Sequence, residues 1–98
     1  MTSTDLDATS VESRAAVLAA VGDPARLRIL DVLGADTKCV CDIQQAVAIA
    51  PNLLSYHLGV LRAAGLVVAS RRSRWVDYRL SDDAAGLVAE ALPAPLAG

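Results

Sequence analysis

Two cysteines separated by one residue, Cys39 and Cys41, are the side chains of this sequence whose type and spacing are best suited to chemistry. Paired thiolates bind thiophilic ions such as As(III), Cd(II), Pb(II) or Zn(II) in preference to hard cations, which select oxygen ligands. Residues i and i+2 project to different sides of a regular helix or strand, so binding one ion with both sulfurs requires an irregular backbone. The pair therefore predicts a metal or metalloid site, and two small apolar packing residues are the alternative interpretation.

A structural disulfide between Cys39 and Cys41 is not expected from the sequence. Such a bond closes a very small loop, which strains its geometry and removes little entropy from the unfolded chain. Exposed thiols at the start of a helix are nevertheless reactive. Reaction of the pair with oxidants or sulfur species is therefore a second interpretation of these residues.

The charged residues are distributed unevenly along the chain. Residues 51–80 contain five arginines and one acid, whereas both flanking segments are acidic and the whole chain has a net charge of −2. A basic segment of this kind suits a polyanionic partner, although a solvated charged surface has the same composition. The sequence contains no glycine-rich phosphate loop and no nucleophile with a neighbouring His or carboxylate, so we do not expect an enzyme.

The length of 98 residues and the hydrophobic content of 54% predict one soluble globular domain. The longest apolar stretch, residues 63–69, is too short to span a membrane, and the polar, acidic first residues argue against a secretion signal. We therefore expect a cytoplasmic protein. Its predicted organisation is a flexible arm over residues 1–9, one folded domain over residues 10–92 and a flexible tail over residues 93–98.

Apolar spacing and capping residues divide the folded domain into its elements. Predicted helices cover residues 11–21, 24–33, 41–47 and 51–64, and a last helix, opened by Ser81, ends before Pro93. Leu27, Leu30 and Leu33 form the predicted apolar face of the second helix.

A hairpin is predicted after the fourth helix. Residues 66–70 are rich in β-branched and apolar types and residues 75–80 alternate in polarity, which leaves a polar tip over residues 71–74. Three helices, a helix-turn-helix and a hairpin predict a winged helix, in which the second helix of the motif enters the major groove. The predicted fold class is mainly α with a β-hairpin (α+β), in the order α-α-α-α-β-β-α.

The side chains predicted to contact DNA can form hydrogen bonds with base edges or phosphates, or extend the surface of the wing. They are Asn52, Ser55, Tyr56 and Arg62 on the fourth helix, and Arg71, Arg72, Arg74 and Trp75 on the hairpin. A winged helix that contacts only proteins is the alternative, but its outward face would tend to be apolar or acidic. His57, the single histidine, is interpreted as a packing or phosphate-contacting residue and not as a metal ligand.

Several segments of the chain resemble the ArsR/SmtB family of metal-sensing bacterial repressors. The similar segments are residues 21–30 (VGDPARLRIL), 54–62 (LSYHLGVLR), 64–67 (AGLV) and 74–80 (RWVDYRL). Their order and separation match the second helix, the recognition helix and the wing of that family. The resemblance implies a winged-helix repressor that binds DNA.

Residues 39–43 (CVCDI) resemble the Cys-Val-Cys-Asp-Leu segment with which arsenic- and cadmium-sensing members hold their ions. The resemblance implies Cys39 and Cys41 as ligands and As(III) as the first expected inducer, followed by Cd(II), Zn(II) and Pb(II), with Ni(II) last. The chain departs from one arsenic-sensing branch at Gln44, which stands where that branch has a third cysteine. Water, a small thiol, Asp42 or the N-terminal arm of a second subunit would then complete the ligand shell.

These residues predict a homodimeric transcriptional repressor that binds a palindromic operator in double-stranded DNA and leaves it when a thiophilic ion occupies Cys39 and Cys41. The first and last helices are the predicted dimer surface, because their apolar faces exceed what so small a core can bury. Two alternatives stay open: a repressor of the same fold that senses redox state or sulfur species, and a metal-buffering or protein-binding module without DNA binding. We expect no organic cofactor.

Overall fold

A computed structural model describes residues 10–97 of the chain. Its elements are α1 (Val11–Val21), α2 (Pro24–Leu33), β1 (Lys38–Cys39), α3 (Val40–Val47), α4 (Pro51–Ala63), β2 (Val67–Arg72), β3 (Trp75–Leu80), α5 (Ala84–Ala91) and the short α6 (Ala94–Ala97). The three strands form one antiparallel sheet in the order β1-β3-β2. The predicted mainly α fold with a β-hairpin is confirmed, and β1 is an additional strand that the sequence does not predict.

The ends of the helices follow local capping. The Ser10 side chain accepts a hydrogen bond from a backbone N–H group in the first turn of α1. Asp23 caps α2, because its Oδ2 atom accepts from the backbone N–H groups of Ala25 and Arg26 at 2.9 and 3.1 Å, and Pro24 occupies the first helical position. These predicted boundaries are confirmed.

The β1 strand joins the segment before α3 to the hairpin. It has two residues, and Lys38 lies opposite Tyr78 while Cys39 lies opposite Asp77 on β3. Two residues contain too little alternation to predict a strand from the sequence, so the order of this segment comes from its pairing with β3.

The hairpin has a tighter turn than predicted. β2 extends to Arg72 and β3 begins at Trp75, so Ser73 and Arg74 alone form the turn, and Ser73 has a φ of 57°. A two-residue turn with a positive φ fits the right-handed twist of the two strands. Arg71 and Arg72 therefore lie on β2, which corrects the predicted polar tip over residues 71–74.

Buried apolar residues from α1 to α4 and from the start of β2 form the core. The cluster contains Ala20, Ile29, Leu33, Ile43, Val47, Leu54, Leu58, Leu61, Leu66 and Val67. In α2 the buried residues are Ile29 and Leu33, spaced by one helical turn, whereas Leu27 is 50% exposed. The predicted apolar face of α2 is wrong at Leu27, because that side chain projects about 200° around the helix from Ile29.

The start of α5 also differs from the prediction. The Ser81 hydroxyl donates to the Gly65 carbonyl at 2.7 Å and does not cap the helix, which begins three residues later. Ser81 therefore joins the end of the hairpin to the end of α4.

The structure bears only in part on the predictions for the terminal segments and for membrane spans. The predicted arm over residues 1–9 lies outside the described residues, and the flexibility of the tail, where α6 forms one turn, stays a prediction. Within residues 10–97, no helix has the length and apolar character needed to cross a membrane.

Ala48 provides a test of local strain in the turn between α3 and α4, because it has a left-handed backbone with a φ of 58° and a ψ of 46°. Ala48→Gly should raise the free energy of unfolding by about 0.5–1 kcal/mol, since relief of the left-handed strain exceeds the added entropy of the unfolded chain. The matched control Ala46→Gly, at an exposed position of α3, should instead lower it by about 0.5–1 kcal/mol. Urea denaturation measures both, and equal destabilisation by the two variants would contradict the assignment of strain to Ala48.

Candidate cysteine site and nucleic-acid interface

The two cysteines lie on either side of the junction between β1 and α3. Cys39 ends β1 with an extended backbone (φ −75°, ψ 158°) and is the N-cap of α3, whereas Cys41 lies in the first turn of that helix. Their Cα atoms are 5.3 Å apart and their sulfur atoms form a disulfide. The expectation that this pair forms no disulfide is therefore wrong. That expectation rests on the strain of so small a loop, whereas the backbone changes from strand to helix between the two residues and brings their side chains together.

Asp42 completes a compact group of potential ligand atoms. The sulfur atoms of Cys39 and Cys41 and a carboxylate oxygen of Asp42 lie within 4.8 Å of one another. Cys41 and Asp42 are exposed, and the Cys39 sulfur accepts a hydrogen bond from the Asp42 backbone N–H group at 3.3 Å. After reduction of the disulfide, two thiolates and a carboxylate would be available to one ion. This set of ligand atoms fits a thiophilic ion.

Gln44, which stands where a third cysteine would complete the ligand set, has a structural contact. Its side-chain amide donates to the backbone carbonyl of Ile49, in the turn that leads to α4. Gln44 therefore connects the helix that follows the cysteines to the turn of the helix-turn-helix.

Asp77 links the cysteine segment to the wing, the hairpin formed by β2 and β3. It lies opposite Cys39 in the sheet, and its carboxylate accepts from the Nε and Nη2 atoms of Arg72 at 2.9 and 3.2 Å. The side chain of Asp77 is 13% exposed and that of Arg72 is 64% exposed. The hydrogen bond to Asp77, together with its negative charge, raises the pKa of the Arg72 guanidinium. Arg72 is thus already engaged by a carboxylate within the wing.

The predicted DNA-contacting residues of α4 share its exposed face. Leu54, Leu58 and Leu61 are buried on the opposite side of the helix. The outer surface includes Asn52, Ser55, Tyr56 and Arg62, all of them exposed, together with Leu53, which is 48% exposed. The structure therefore places these four predicted side chains where a ligand can reach them.

The predicted arginines of the wing occupy different surroundings. Arg71 of β2 and Arg62 of α4 both line a shallow cavity of about 330 Å³ between the helix and the hairpin. Arg74 lies over the ring of Trp75, 6.0 Å from its centroid, and both are exposed. Basic groups from α4 and from the wing thus face a common region of the surface, whereas the Arg72 charge is partly offset by Asp77.

His57 is half-buried, and its ring joins α4 to α2. Its Nδ1 atom lies 2.9 Å from Nη1 of Arg26 and 3.9 Å from Oδ2 of Asp23. The backbone hydrogen bond from Arg26 is the main cause that lowers the pKa of the Asp23 carboxyl, and the charge of Arg26 acts in the same direction. Of the two roles predicted for His57, packing between helices agrees with this position.

Two residues of these contacts, Arg26 and Asp77, are missing from the predicted site. Asp77 is the single acid among residues 51–80, and this isolation is the signal that could have identified it. Arg26 carries no such signal, because its contact with His57 joins residues 31 positions apart.

The helix-turn-helix of α3 and α4, followed by the wing, defines a winged helix-turn-helix protein of the DNA-binding type. The chain belongs to the arsR family of bacterial regulatory proteins, and residues 23–68 match the family described as "Bacterial regulatory protein, arsR family". This family consists of transcriptional regulators and not of enzymes.

Three curated relatives illustrate the extent of the similarity. An HTH-type transcriptional regulator of Methanocaldococcus jannaschii is 37% identical over 73 residues, which are 74% of this chain and 82% of the relative. The arsenical resistance operon repressor of Bacillus subtilis is 36% identical over 75 residues, which are 74% of this chain and 71% of that repressor. For the SmtB repressor of Mycobacterium tuberculosis the matched segment covers only 49% of the relative.

Solved structures share the fold. A homodimeric winged helix-turn-helix DNA-binding domain of Mycobacterium bovis, described as a possible ArsR-family transcriptional regulator, superposes with a TM-score of 0.75 at 32% identity and covers 89% of this chain and 82% of that chain. Reduced HlyU of Vibrio cholerae superposes with a TM-score of 0.70 at 28% identity and covers 82% of each chain.

Counting free thiols tests the pairing of the two cysteines. A thiol-reactive chromophore should detect no free thiol in the denatured chain purified without reductant and two after reduction, because the sequence contains two cysteines and the structure joins them. The Cys41→Ser variant should show one free thiol under both conditions. Two reactive thiols in the unreduced wild-type chain would contradict the disulfide.

Proposed function

We propose that this protein is a homodimeric transcriptional repressor that binds palindromic operator DNA and is released from it by chemistry at Cys39 and Cys41. The observation that carries the proposal is the position of the cysteine pair. It lies where β1, paired with the wing, meets α3, the first helix of the helix-turn-helix. A change at the pair therefore acts on both parts of the molecule that would contact DNA.

DNA binding is supported by the common orientation of the basic side chains. Arg62 of α4 and Arg71 of β2 line one cavity, and Arg74 extends from the tip of the wing. Arginines on such a surface would contact phosphates, and Ser55 and Tyr56 on the exposed face of α4 would contact base edges in the major groove.

A homodimer would bring two such surfaces to the two halves of a palindrome. α1 and α5 pack against each other, and Arg14 of α1 donates to the Ala91 carbonyl of α5 at 3.3 Å. Apolar surface remains on this pair of helices, since Val11 is 68% exposed. A second copy on this face would form a two-fold dimer whose recognition helices are about 34 Å apart, one turn of DNA. The similar domain of Mycobacterium bovis is described as a homodimer.

A thiophilic ion is the first candidate for the inducer. When bound, such an ion would supply bonds to both thiolates of the reduced pair, and As(III) and Cd(II) are the first ions to test. The Asp42 carboxylate is available as a third ligand. The similar protein of Bacillus subtilis is named for an arsenical resistance operon, which favours this candidate.

The β1–β3 pairing offers a path from the cysteine pair to the wing. Cys39 pairs with Asp77, and Asp77 holds Arg72. An inducer weakens DNA binding only if it prefers the conformation that binds DNA poorly. Ligation of Cys39 would supply this preference if the sulfur can bind the ion only after the backbone at the junction has shifted away from its pairing with Asp77.

Thiol oxidation is the second candidate, and the disulfide between Cys39 and Cys41 favours it. In this reaction two thiols lose two electrons and two protons to hydrogen peroxide, whose oxygen–oxygen bond breaks to give two molecules of water, and the sulfur–sulfur bond forms. The similarity to HlyU, whose structure is described as reduced, is compatible with this candidate. The reduced dithiol would then be the state that binds the operator.

Arginine substitutions on the wing test the proposed DNA surface. Arg74→Ala should weaken binding to all duplexes and lower the slope of log K against log salt by about one, because one phosphate contact is lost. Arg72→Ala should lower the slope less, since Asp77 already offsets this charge. Fluorescence anisotropy with an operator selected from random duplexes measures both. Equal slopes for the wild type and Arg74→Ala would remove the wing from the interface.

Serine substitutions at the cysteines test the sensor. Cys39→Ser and Cys41→Ser should bind the operator as the reduced wild type does, because neither residue lies on α4, and should lose release by the inducer. In the wild type, release should weaken binding by about 5–150-fold. The matched control Gln45→Ala, at an exposed position of α3, should keep release.

The choice of titrant separates the two candidates. As(III) or Cd(II) is added with a phosphine reductant, and peroxide is added with a chelator and no reductant. Release by the ion alone supports metal sensing, and release by peroxide alone supports thiol oxidation. Release of the double serine variant by either reagent would contradict the cysteine sensor, and failure of the wild type to bind any duplex would contradict the repressor.

A further inference from the structure

The guanidinium group of Arg26 joins three helices. Its Nε atom donates to the Ala20 carbonyl at 2.7 Å and its Nη2 atom donates to the Ala19 carbonyl at 3.2 Å, both in the last turn of α1. Its Nη1 atom lies 2.9 Å from Nδ1 of His57 in α4. Arg26 itself belongs to the first turn of α2, where the side chain of Asp23 caps its backbone N–H group. One side chain thus holds three acceptor groups on two other helices, the carbonyls of Ala19 and Ala20 and the Nδ1 atom of His57.

The chemistry of this contact defines the protonation state of His57. A guanidinium group has five donors, no acceptor and a permanent charge. The Nδ1 atom of His57 must therefore accept the hydrogen bond, and the proton of the neutral ring lies on Nε2. A protonated ring has no acceptor atom and would place a second positive charge beside Arg26. The contact between Arg26 and His57 consequently requires a neutral histidine.

His57 supports a residue on the exposed face of α4. The rings of His57 and Tyr56 meet edge to face, with centroids 5.2 Å apart and an interplanar angle of 63°. Tyr56 is 61% exposed, whereas Leu58, on the other side of His57 in the sequence, is buried. A rotation of the His57 ring therefore changes the support of the Tyr56 ring.

Asp23 offers a different partner to a protonated His57. Its Oδ2 atom lies 3.9 Å from Nδ1, close enough for an ion pair once that nitrogen carries a proton. Among residues 10–97, the charged groups that face the His57 ring are Arg26 and Asp23, and Tyr56 is the titratable neighbour on α4. The adjoining part of α1 contributes the carbonyls of Ala19 and Ala20, which hold Arg26 in place.

We propose that Arg26 is a positioning residue that holds α4 and Tyr56 in the orientation required for DNA through neutral His57, and that protonation of His57 weakens DNA binding by exchanging Arg26 for Asp23. The inference rests on the proposed binding of DNA by α4. The contact with Arg26 exists only while the ring is neutral, so protonation of the ring removes it. His57 is the single histidine of the chain, and histidine is the side chain whose charge ordinarily changes between pH 5 and 8.

Operator binding at pH 7.5 and 5.5, measured by fluorescence anisotropy at constant ionic strength, tests the proposal. The wild type should bind at least about tenfold more weakly at pH 5.5, the factor expected for the loss of a hydrogen bond to a charged group. His57→Gln should bind with similar affinity at both pH values, because its amide oxygen can accept from Arg26 and does not titrate. Arg26→Gln should bind weakly at both. The control Arg28→Ala, at an exposed position of α2, should keep the wild-type ratio.

Three results would overturn the proposal: equal losses of operator affinity at pH 5.5 in the wild type and His57→Gln, no loss of affinity in the wild type, or tighter wild-type binding at pH 5.5. Tighter binding is the result that a contact of His57 with phosphate would produce.

If the wild type binds no duplex at either pH, the proposed function fails instead, and the ¹⁵N shifts of the His57 ring test the contact itself. A proton on Nε2 and none on Nδ1 at pH 7.5 supports it, and a proton on Nδ1 overturns it. Thermal unfolding verifies the fold of each variant. If Arg26→Gln does not fold, the comparison of the wild type with His57→Gln is sufficient to test the proposal.

Discussion

The bonding of Cys39 is the constraint on which the rest of the proposed mechanism depends. Its backbone pairs with β3 opposite Asp77, its sulfur accepts the Asp42 N–H group at the start of α3, and the same sulfur bonds to Cys41. One residue thus ends a strand, caps a helix and takes part in the reactive pair. In the proposed mechanism a new ligand at this sulfur competes with the Asp42 N–H group that caps α3, and the same residue connects this cap to the wing through its pairing with β3.

The ion pair in the wing determines how easily a DNA phosphate can replace Asp77 as the partner of Arg72. Arg72 is held by both carboxylate oxygens of Asp77, but Arg72 remains mostly exposed. An exposed ion pair contributes about 0–1 kcal/mol, which is small enough for a phosphate to compete with it. Within residues 10–97, neither Arg74 nor Arg71 forms an ion pair with a carboxylate, so both are available to a phosphate. The wing therefore carries two arginines without a carboxylate partner and one, Arg72, that is paired with Asp77. Asp77 also lies opposite Cys39 in the β1–β3 pairing.

The sequence predicts features that are encoded locally and misses those that depend on distant partners. Ser10, Asp23 with Pro24, and the positive φ of Gly65 at 82° define helix ends through neighbouring residues, and these boundaries are confirmed. The two-residue β1 strand and the contact between Arg26 and His57 depend on residues far along the chain, so no local pattern reveals them. The disulfide was missed for a related reason, since it depends on an element boundary that falls between Cys39 and Cys41.

The free energy of the short β1–β3 pairing is in the range that a conformational switch requires. An effector that changes operator affinity by about 5–150-fold needs about 1–3 kcal/mol of coupling free energy. One intramolecular hydrogen bond contributes about 0.5–1.5 kcal/mol net, so the pairing of Lys38 with Tyr78 and of Cys39 with Asp77 has a free energy of the same order. Opening it costs little compared with disrupting the apolar core, which contains none of these four residues among its buried members. With no strand at all, the cysteines would have no backbone connection to the wing.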